Sequence, residues 1–322
     1  INYKLTNNYF IDHFSAANFT PFYDIKKFIW SDEIAPNIID LNLLPKLVWT
    51  NDIIGNVTSK ASEETGLAEG TIITAGTIDA AAEALSVGVI NPKDMMMMYG
   101  STMFFISLTK EPIFDNRLWY APWLFEGEHC SLAGLATSGT LTQWFRKEFA
   151  KEIKGEKAFQ ELANEAESSP VGSNGIIFLP YFSGERTPIH DTYAKGTFFG
   201  LNLTHQRSDF YRSIFEGIAY GTKHVFETYS DLNILPKKLY SVGGGIKNKL
   251  WSQTTSNINK NDQILRKITF GACYGDAFLA ALACGDVIKE DINKWNPIDN
   301  KIISEENKIY ANGYKNFKKL YY

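Results

Sequence analysis

Four short segments of the sequence combine residue types that could carry out acid–base or phosphate chemistry. The first is residues 76–79 (GTID), where an aspartate stands at the point at which a strand would turn into a helix. A carboxylate at this edge of an open α/β sheet can reach a bound hydroxyl and accept its proton. The simpler alternative is that Asp79 only caps the helix by accepting backbone N–H groups, and the residues alone favour it.

Two glycine-containing turns are the second and third segments. Gly100, Ser101 and Thr102 lie between two apolar runs and could present backbone N–H groups and hydroxyls to a phosphate, although an ordinary hairpin turn is the simpler explanation. Residues 243–245 are three glycines after a predicted strand, where the backbone could approach a flat or anionic ligand as readily as form a tight turn. Neither segment matches the GxxxxGK[ST] or GxGxxG pattern.

The fourth segment is residues 184–188 (GERTP), followed by small, aromatic and charged residues at 196–216. These residues are expected in a loop between a strand and a long helix. The simplest interpretation is a solvated loop in which Glu185 and Arg186 form a charge pair, which contributes little to stability when it is exposed.

Local patterns predict the elements that must position these segments. Residues 71–75 are β-branched and apolar and predict a strand, whereas residues 79–87 are rich in Ala, Leu and Glu and predict a helix. The apolar runs at 95–99 and 103–108 predict a hairpin around the Gly-Ser-Thr turn. Further strands are predicted at 131–137, 176–181 and 238–242, and further helices at 142–150, 157–167, 209–229, 249–257, 271–284 and 305–322. Strands that alternate with helices indicate an α/β architecture.

Length and composition exclude several classes of protein. A chain of 322 residues exceeds what one hydrophobic core usually supports, so two domains are expected. The formal net charge of −4 lacks the basic excess of a dedicated nucleic-acid binder. No apolar run approaches the roughly 18 residues of a membrane span, and residues 1–10 show no signal-peptide pattern. Nucleic-acid and membrane partners are therefore not expected.

The cysteines and histidines are too scattered to predict a disulfide framework or a metal site. Cys130, Cys273 and Cys284 form no CxxC pair, and the five histidines form no HExxH or HxH pattern. We therefore expect a cytoplasmic protein without a thiolate or histidine metal site.

Taken together and in this order, the segments resemble the FGGY family of carbohydrate kinases. The most specific part is residues 196–201 (GTFFGL), then seven residues, then residues 209–216 (DFYRSIFE), which fit the family's second signature throughout. Residues 183–188 (SGERTP) are similar to the xylulokinase branch of the family. The resemblance extends from about Leu5 to at least Gly285 and covers the back part of a family member.

The resemblance implies an actin-like, ribonuclease H-like ATPase fold with two domains on either side of a cleft, the first of them incomplete. Residues 1–90 would be the C-terminal part of the sugar-binding domain, and residues 91–322 the nucleotide-binding domain. It also implies ATP and Mg²⁺ as cofactors and places Asp79 on the family's catalytic base. The positions that match the family's nucleotide site are Gly100, Ser101, Thr102, Gly139, Gln143, Gly244, Gly245 and Asn248. The turn at 100–102 departs from the commoner Gly-Thr-Ser-Gly, because the hydroxyl order is swapped and Met103 replaces a glycine.

The function that follows is ATP-dependent phosphorylation of a sugar hydroxyl, with a ketopentose such as xylulose as the acceptor. Gluconate, glycerol or a deoxy-ketose are alternative acceptors. A non-catalytic, actin-like sugar sensor and an ATPase that drives a conformational cycle are alternatives of other classes. Because the matched region lacks the N-terminal part of a family member, we expect the isolated chain to show little kinase activity. A homodimer is an open alternative to a monomer.

Overall fold

The computed structural model describes residues 1–155 and 157–321, and it confirms the predicted α/β class. Most predicted elements are present within a few residues of their expected ends. Tyr322, the last residue of the predicted C-terminal helix, lies outside the described residues. Within the described residues, no helix is both long and apolar enough to cross a membrane.

A mixed sheet of seven strands forms the centre of the fold, with the strand order β15-β14-β13-β7-β8-β10-β9. β13 runs parallel to both β7 and β14, and the remaining neighbours in this sheet are antiparallel. The other strands pair two by two. The strands are β1 (Phe10–Asp12), β2 (Tyr23–Asp24), β3 (Ile29–Trp30), β4 (Lys46–Val48), β5 (Ile53–Asn56), β6 (Ile72–Thr74), β7 (Asp94–Tyr99), β8 (Met103–Thr109), β9 (Trp119–Pro122), β10 (His129–Leu135), β11 (Ile177–Leu179), β12 (Thr197–Phe199), β13 (Lys238–Val242), β14 (Gln263–Arg266) and β15 (Ile298–Ile302).

Helices cover both faces of the central sheet. They are α1 (Asn2–Thr6), α2 (His13–Ala16), α3 (Ser59–Thr65), α4 (Asp79–Ser86), α5 (Gly139–Phe149), α6 (Ala158–Glu167), α7 (Arg207–Asp231), α8 (Lys249–Asn259), α9 (Ala272–Ala283), α10 (Ile292–Trp295) and α11 (Lys308–Tyr321). Residues of α5, α6, α7 and α8 share one core with the sheet, and residues of α4 and α9 share the other.

The central strand β7 explains why a run of four methionines can form a strand. Successive side chains of a strand point to opposite faces, so Met95 and Met97 enter one core and Met96 enters the other. A strand covered on both faces needs apolar residues at every position instead of an alternating pattern. The predicted hairpin is confirmed, because β7 pairs with β8 and Tyr99 lies opposite Met103.

Helices α4 and α9 pack closely, and a single glycine permits the contact. A Cβ atom at Gly275 would lie 1.9 Å from the Ala82 carbonyl oxygen, which is far inside van der Waals contact. The prediction of a small-residue helix with room for close packing at 271–284 is thus confirmed. This contact fixes the helix that begins with Asp79 against the second face of the sheet.

Candidate active site

The turn between β7 and β8 is joined directly to the beginning of α5. The backbone N–H of Gly139 donates to the Gly100 carbonyl at 3.0 Å, and the N–H of Ser138 donates to the Ser101 carbonyl at 3.0 Å. A Cβ at Gly139 would lie 2.5 Å from the Gly100 oxygen, so only glycine allows this approach. Residues from two separate parts of the sequence therefore form one glycine-lined edge.

The three glycines after β13 form a second open corner beside that turn. Gly243 has φ = +93°, and a Cβ there would lie 2.6 Å from the Tyr99 carbonyl oxygen. A Cβ at Gly244 would meet no atom within 4 Å, so this part of the backbone faces open space. Asn248 ends the corner and caps α8, because its Oδ1 accepts the N–H of Trp251 at 3.0 Å.

These two edges bound a cavity of about 800 Å³, which is within the range of pockets that hold cofactors. The predicted nucleotide-site residues that line it are Gly100, Ser101, Gly139, Gln143, Gly244, Gly245 and Asn248. Thr102 is not a lining residue, and its carbonyl accepts the Gly100 N–H at 3.1 Å within the turn. The cavity thus brings together all the predicted nucleotide-site residues except Thr102.

Sequence reasoning did not identify the opposite wall of the cavity. Phe159, Gln160 and Ala163 of α6 line it, together with Tyr211 of α7 and Trp251 of α8. Tyr211 lies within the signature at 209–216, but no motif marks the other four residues, whose only signal is the helical periodicity of their segments. Their assignment required knowledge of how the helices pack.

Asp79 lies at the beginning of α4, as the predicted strand–turn–helix requires, and it does not line the 800 Å³ cavity. The simpler alternative is wrong about the N-cap position, which Ile78 occupies, but Asp79, the first helical residue, does accept a backbone N–H at the helix start. Its side chain is exposed, and its Oδ1 accepts the Ala80 N–H at 2.7 Å. The remaining carboxylate oxygen has no hydrogen-bond partner among the described residues, so it is free to bind a ligand.

A buried carboxylate supports the turn that leads to Asp79. Thr77 donates through its hydroxyl to the Asp12 Oδ2 at 2.9 Å, and the Ser15 N–H donates to the same oxygen at 3.1 Å. Asp12 is only 3% exposed, and burial raises its pKa above the usual value of 3.8. No sequence pattern pointed to this contact, which joins positions 65 residues apart.

A second cavity of about 930 Å³ lies on the Asp79 side of the sheet. Ile78, which immediately precedes Asp79, lines this cavity with Phe104 of β8 and Trp119 of β9. Asn18 and the exposed Arg186 supply polar groups. The arrangement can hold a small polar molecule beside the start of α4.

The expectation of an exposed Glu185–Arg186 charge pair is wrong. Glu185 is 4% exposed, whereas the side chain of Arg186 is exposed, so the two residues do not form a solvated pair. Elsewhere in the GERTP segment, the Thr187 N–H donates to the Gly134 carbonyl at 3.1 Å. The segment is therefore anchored to the end of β10 instead of lying free in solvent.

The described part of the chain contains no group of three or more His, Cys, Asp or Glu side chains that could hold a metal ion.

Comparison with known proteins gives matches along most of the chain. The model "FGGY family of carbohydrate kinases, N-terminal domain" matches residues 1–86, and the model of the C-terminal domain matches residues 95–284. A xylulose kinase of Staphylococcus epidermidis is 26% identical over 328 residues, covering 100% of this chain and 65% of the relative. A gluconokinase of Bacillus subtilis is 26% identical over 294 residues, covering 88% of this chain and 57% of the relative.

Solved structures give the same result. The crystal structure of xylulose kinase from Rhodospirillum rubrum superimposes with a TM-score of 0.91 at 28% identity, covering 100% of this chain and 65% of that one. The chain thus spans less than two thirds of the length of these relatives.

Proposed function

The chain belongs to the FGGY family of carbohydrate kinases and has the predicted actin-like, ribonuclease H-like fold, and from this premise we propose that the protein transfers the terminal phosphate of ATP to a sugar hydroxyl. The observation that carries the proposal is the glycine-lined cavity beside the seven-stranded sheet. Its glycine corner exposes backbone at Gly244, where a side chain would otherwise fill the space a nucleotide needs.

In this proposal the nucleotide occupies the 800 Å³ cavity. Ser101 and the neighbouring backbone N–H groups would face the phosphates, because oriented N–H groups in glycine turns bind anions. Trp251 and Phe159 provide apolar surface for the base. The sugar would occupy the 930 Å³ cavity, with residues 1–90 and 91–322 as the two proposed domains.

Asp79 would act as the general base. A sugar hydroxyl is a poor nucleophile at neutral pH, so a carboxylate within hydrogen-bond reach must accept its proton as the bond to phosphorus forms. The free oxygen of Asp79 meets this need, because only its other oxygen is engaged by Ala80. Thr77 and Asp12 would hold the turn in place while the proton moves.

Mg²⁺ would bind through the nucleotide phosphates, since the described residues hold no three-ligand cluster of their own. When bound, it would neutralise phosphate charge. We assign no protein ligand to it.

A ketopentose such as xylulose is the proposed acceptor, because one xylulose kinase sequence and one xylulose kinase structure each match over the whole chain. Gluconate is the second candidate, since a gluconokinase matches with the same identity over a shorter region. The cytoplasm remains the proposed location, consistent with the three free cysteines.

Two variants test the proposal: one should lose nucleotide binding, and the other should keep nucleotide binding and lose turnover. Binding of Mg²⁺ with AMP-PNP, a nonhydrolysable ATP analogue, is measured by calorimetry on this chain. Phosphate transfer to xylulose, ribulose, gluconate and glycerol is measured on this chain and on any longer form of the protein that contains it. Gly244→Val should abolish nucleotide binding, because its side chain would enter open cavity space. Asp79→Asn should keep the nucleotide affinity and lower turnover by about a thousandfold.

Asp32→Asn is the matched control, because Asp32 is an exposed aspartate outside both cavities. Absence of nucleotide binding by the unaltered chain would overturn the proposal. Nucleotide binding with no transfer to any acceptor in the longest form would favour the sugar sensor. ATP hydrolysis that no sugar stimulates would favour the ATPase.

A further inference from the structure

We propose that Glu185 is a positioning residue that joins the two cavities, so that occupation of the nucleotide cavity is transmitted to the loop carrying Arg186. The inference rests on the proposed function for the identity of the nucleotide, and it adds a mechanical connection between the two sites. The connection is one carboxylate oxygen shared by two backbone segments.

The contacts of Glu185 are unusual for a glutamate in a loop. Its Oε1 accepts the Ala136 N–H at 2.6 Å and the N–H of Arg186 at 2.7 Å. These N–H groups have no other hydrogen-bond acceptor among the described residues. Without the carboxylate, the end of β10 and the GERTP segment would each lose a hydrogen bond at this point.

The first of these segments leads directly to the nucleotide cavity. Ala136 is followed by Thr137, whose hydroxyl donates to the Pro180 carbonyl, and by Ser138, whose N–H donates to the Ser101 carbonyl. Gly139 comes next and lines the cavity. Two residues, Thr137 and Ser138, therefore separate the Glu185 contact at Ala136 from the cavity wall at Gly139, and each is held by a hydrogen bond.

The second segment leads to the other cavity. Arg186 has an exposed guanidinium group with no hydrogen-bond partner among the described residues, and it lines the 930 Å³ cavity. On its other side the segment is held by Glu185 itself, whose N–H donates to the Asp191 carbonyl at 2.8 Å. Movement of the carboxylate would therefore displace the backbone that carries Arg186.

The second oxygen of Glu185 shows that stability alone does not explain the residue. Oε2 is buried without a hydrogen-bond partner among the described residues. Burying a carboxyl group with one unsatisfied oxygen is unfavourable. An apolar side chain at this position would avoid this cost. The feature that favours a glutamate here is therefore the pair of hydrogen bonds from its Oε1 to the two backbone segments.

Hydrogen–deuterium exchange measured with and without Mg²⁺ and AMP-PNP tests the connection. In the unaltered chain, the nucleotide should slow exchange at 100–101 and 139–143, which contain the cavity-lining residues Gly100, Ser101, Gly139, Thr142 and Gln143. It should also slow exchange at 184–187 by about tenfold, although that segment does not line the cavity. In Glu185→Leu the slowing at 184–187 should disappear while that at 100–101 remains. Glu185→Gln retains a carbonyl acceptor and should restore the slowing.

Asp94→Leu is the matched control. Asp94 is also buried and accepts two backbone N–H groups, from Ile90 and Asn91, but it lines neither cavity. This variant should lose stability and keep the nucleotide-dependent slowing at 184–187. If a buried carboxylate were merely structural, both leucine variants would behave alike.

The outcomes separate the two proposals. No slowing at 100–101 in the unaltered chain means that the nucleotide does not bind, which overturns the proposed function. Slowing at 100–101 without slowing at 184–187 overturns the connection and leaves the proposed function intact. Should Glu185→Leu fail to fold, the unaltered chain and Glu185→Gln still decide the question, because both must show the slowing at 184–187.

Discussion

The two ends of helix α4 differ in almost every physical respect. At the N-terminal end, Asp79 is exposed and makes one hydrogen bond within the described part of the chain, in which it accepts the N–H of its neighbour Ala80. At the C-terminal end, Arg266 is 5% exposed and donates from Nε to the Val87 carbonyl at 2.7 Å. One end of the helix is therefore available to a ligand, whereas the other is enclosed by protein.

The enclosed end is held by several further hydrogen bonds. Arg266 also donates to the Asn296 carbonyl and the Asn293 side chain, each at 2.7 Å, and its guanidinium stacks 4.9 Å from the centre of the Tyr240 ring. Asn296 donates to the Ser86 carbonyl at 2.9 Å. These donors satisfy carbonyls at the helix C-terminus, where a positive charge is also favourable. A helix held this firmly at one end can present a reactive group at the other, where the Asp79 side chain itself makes few contacts.

The largest effect on stability is expected from Arg266→Met. The substitution leaves the carbonyls of Val87 and Asn296 without their donor inside the core, which should lower the free energy of unfolding by about 3 kcal/mol. Urea denaturation measures the change. Lys267→Met, which removes the exposed cation next in sequence, should change stability by no more than about 0.5 kcal/mol. Similar losses of unfolding free energy in the two variants would contradict the conclusion that the C-terminal end of α4 is held by Arg266.

The same contrast shows what could be predicted from the sequence. The strand, turn and helix around Asp79 are local, and their residue types indicate them directly. The hairpin of β7 and β8 could be predicted for the same reason. The hydrogen bonds of Arg266 to Val87 and of Asn296 to Ser86 join positions 179 and 210 residues apart, and no periodicity marks them.

The 800 Å³ cavity shows the same difference between local features, which the sequence indicates, and long-range packing, which it does not. Its glycine turns were predicted, because glycine next to a strand end carries information about the backbone. The wall formed by α6 and α8 was not, since Phe159 and Trp251 resemble ordinary core residues. Strands β14 and β15 were missed because β14 contains Gln263 and Arg266 and β15 contains Asp299, Asn300 and Lys301, which lack a strand pattern. The buried position of Glu185 was missed because charge usually indicates exposure.

A smaller effect on stability is expected from Asp12, which supports the turn before Asp79, and this effect depends on pH. Burial raises the pKa of Asp12 above 3.8, so the folded state retains a proton that the unfolded state has lost. Stability from this group is therefore fully present below pH 3.8 and falls as the pH rises through the folded pKa. Asp12→Asn cannot ionise, so the stability of the unaltered chain relative to this variant should decrease between pH 3 and pH 7.

Asp24→Asn provides a control of opposite sign. The N–H groups of Lys26 and Lys27 lower the pKa of Asp24, so its contribution is present at neutral pH and is lost on acidification. Urea denaturation at several pH values measures both variants. For each variant, the free energy of unfolding of the unaltered chain relative to the variant is followed as a function of pH. If this difference changes with pH in the same direction for both variants, Asp12 is ionised in the folded protein and the turn before Asp79 rests on a charged group.

The smallest effect on stability is expected where the largest effect on turnover is proposed. Asp79→Asn keeps an oxygen that can accept the Ala80 N–H and loses only the interaction of a negative charge with the helix N-terminus. At an exposed position this interaction is screened, so the free energy of unfolding should change by about 0.5 kcal/mol or less. A loss above about 2 kcal/mol would mean that Asp79 serves the helix as a structural residue, because a group poised for a ligand should contribute little to the unliganded fold. Since the enclosed end already fixes α4, the chain can keep at residue 79 a carboxylate that the fold does not need.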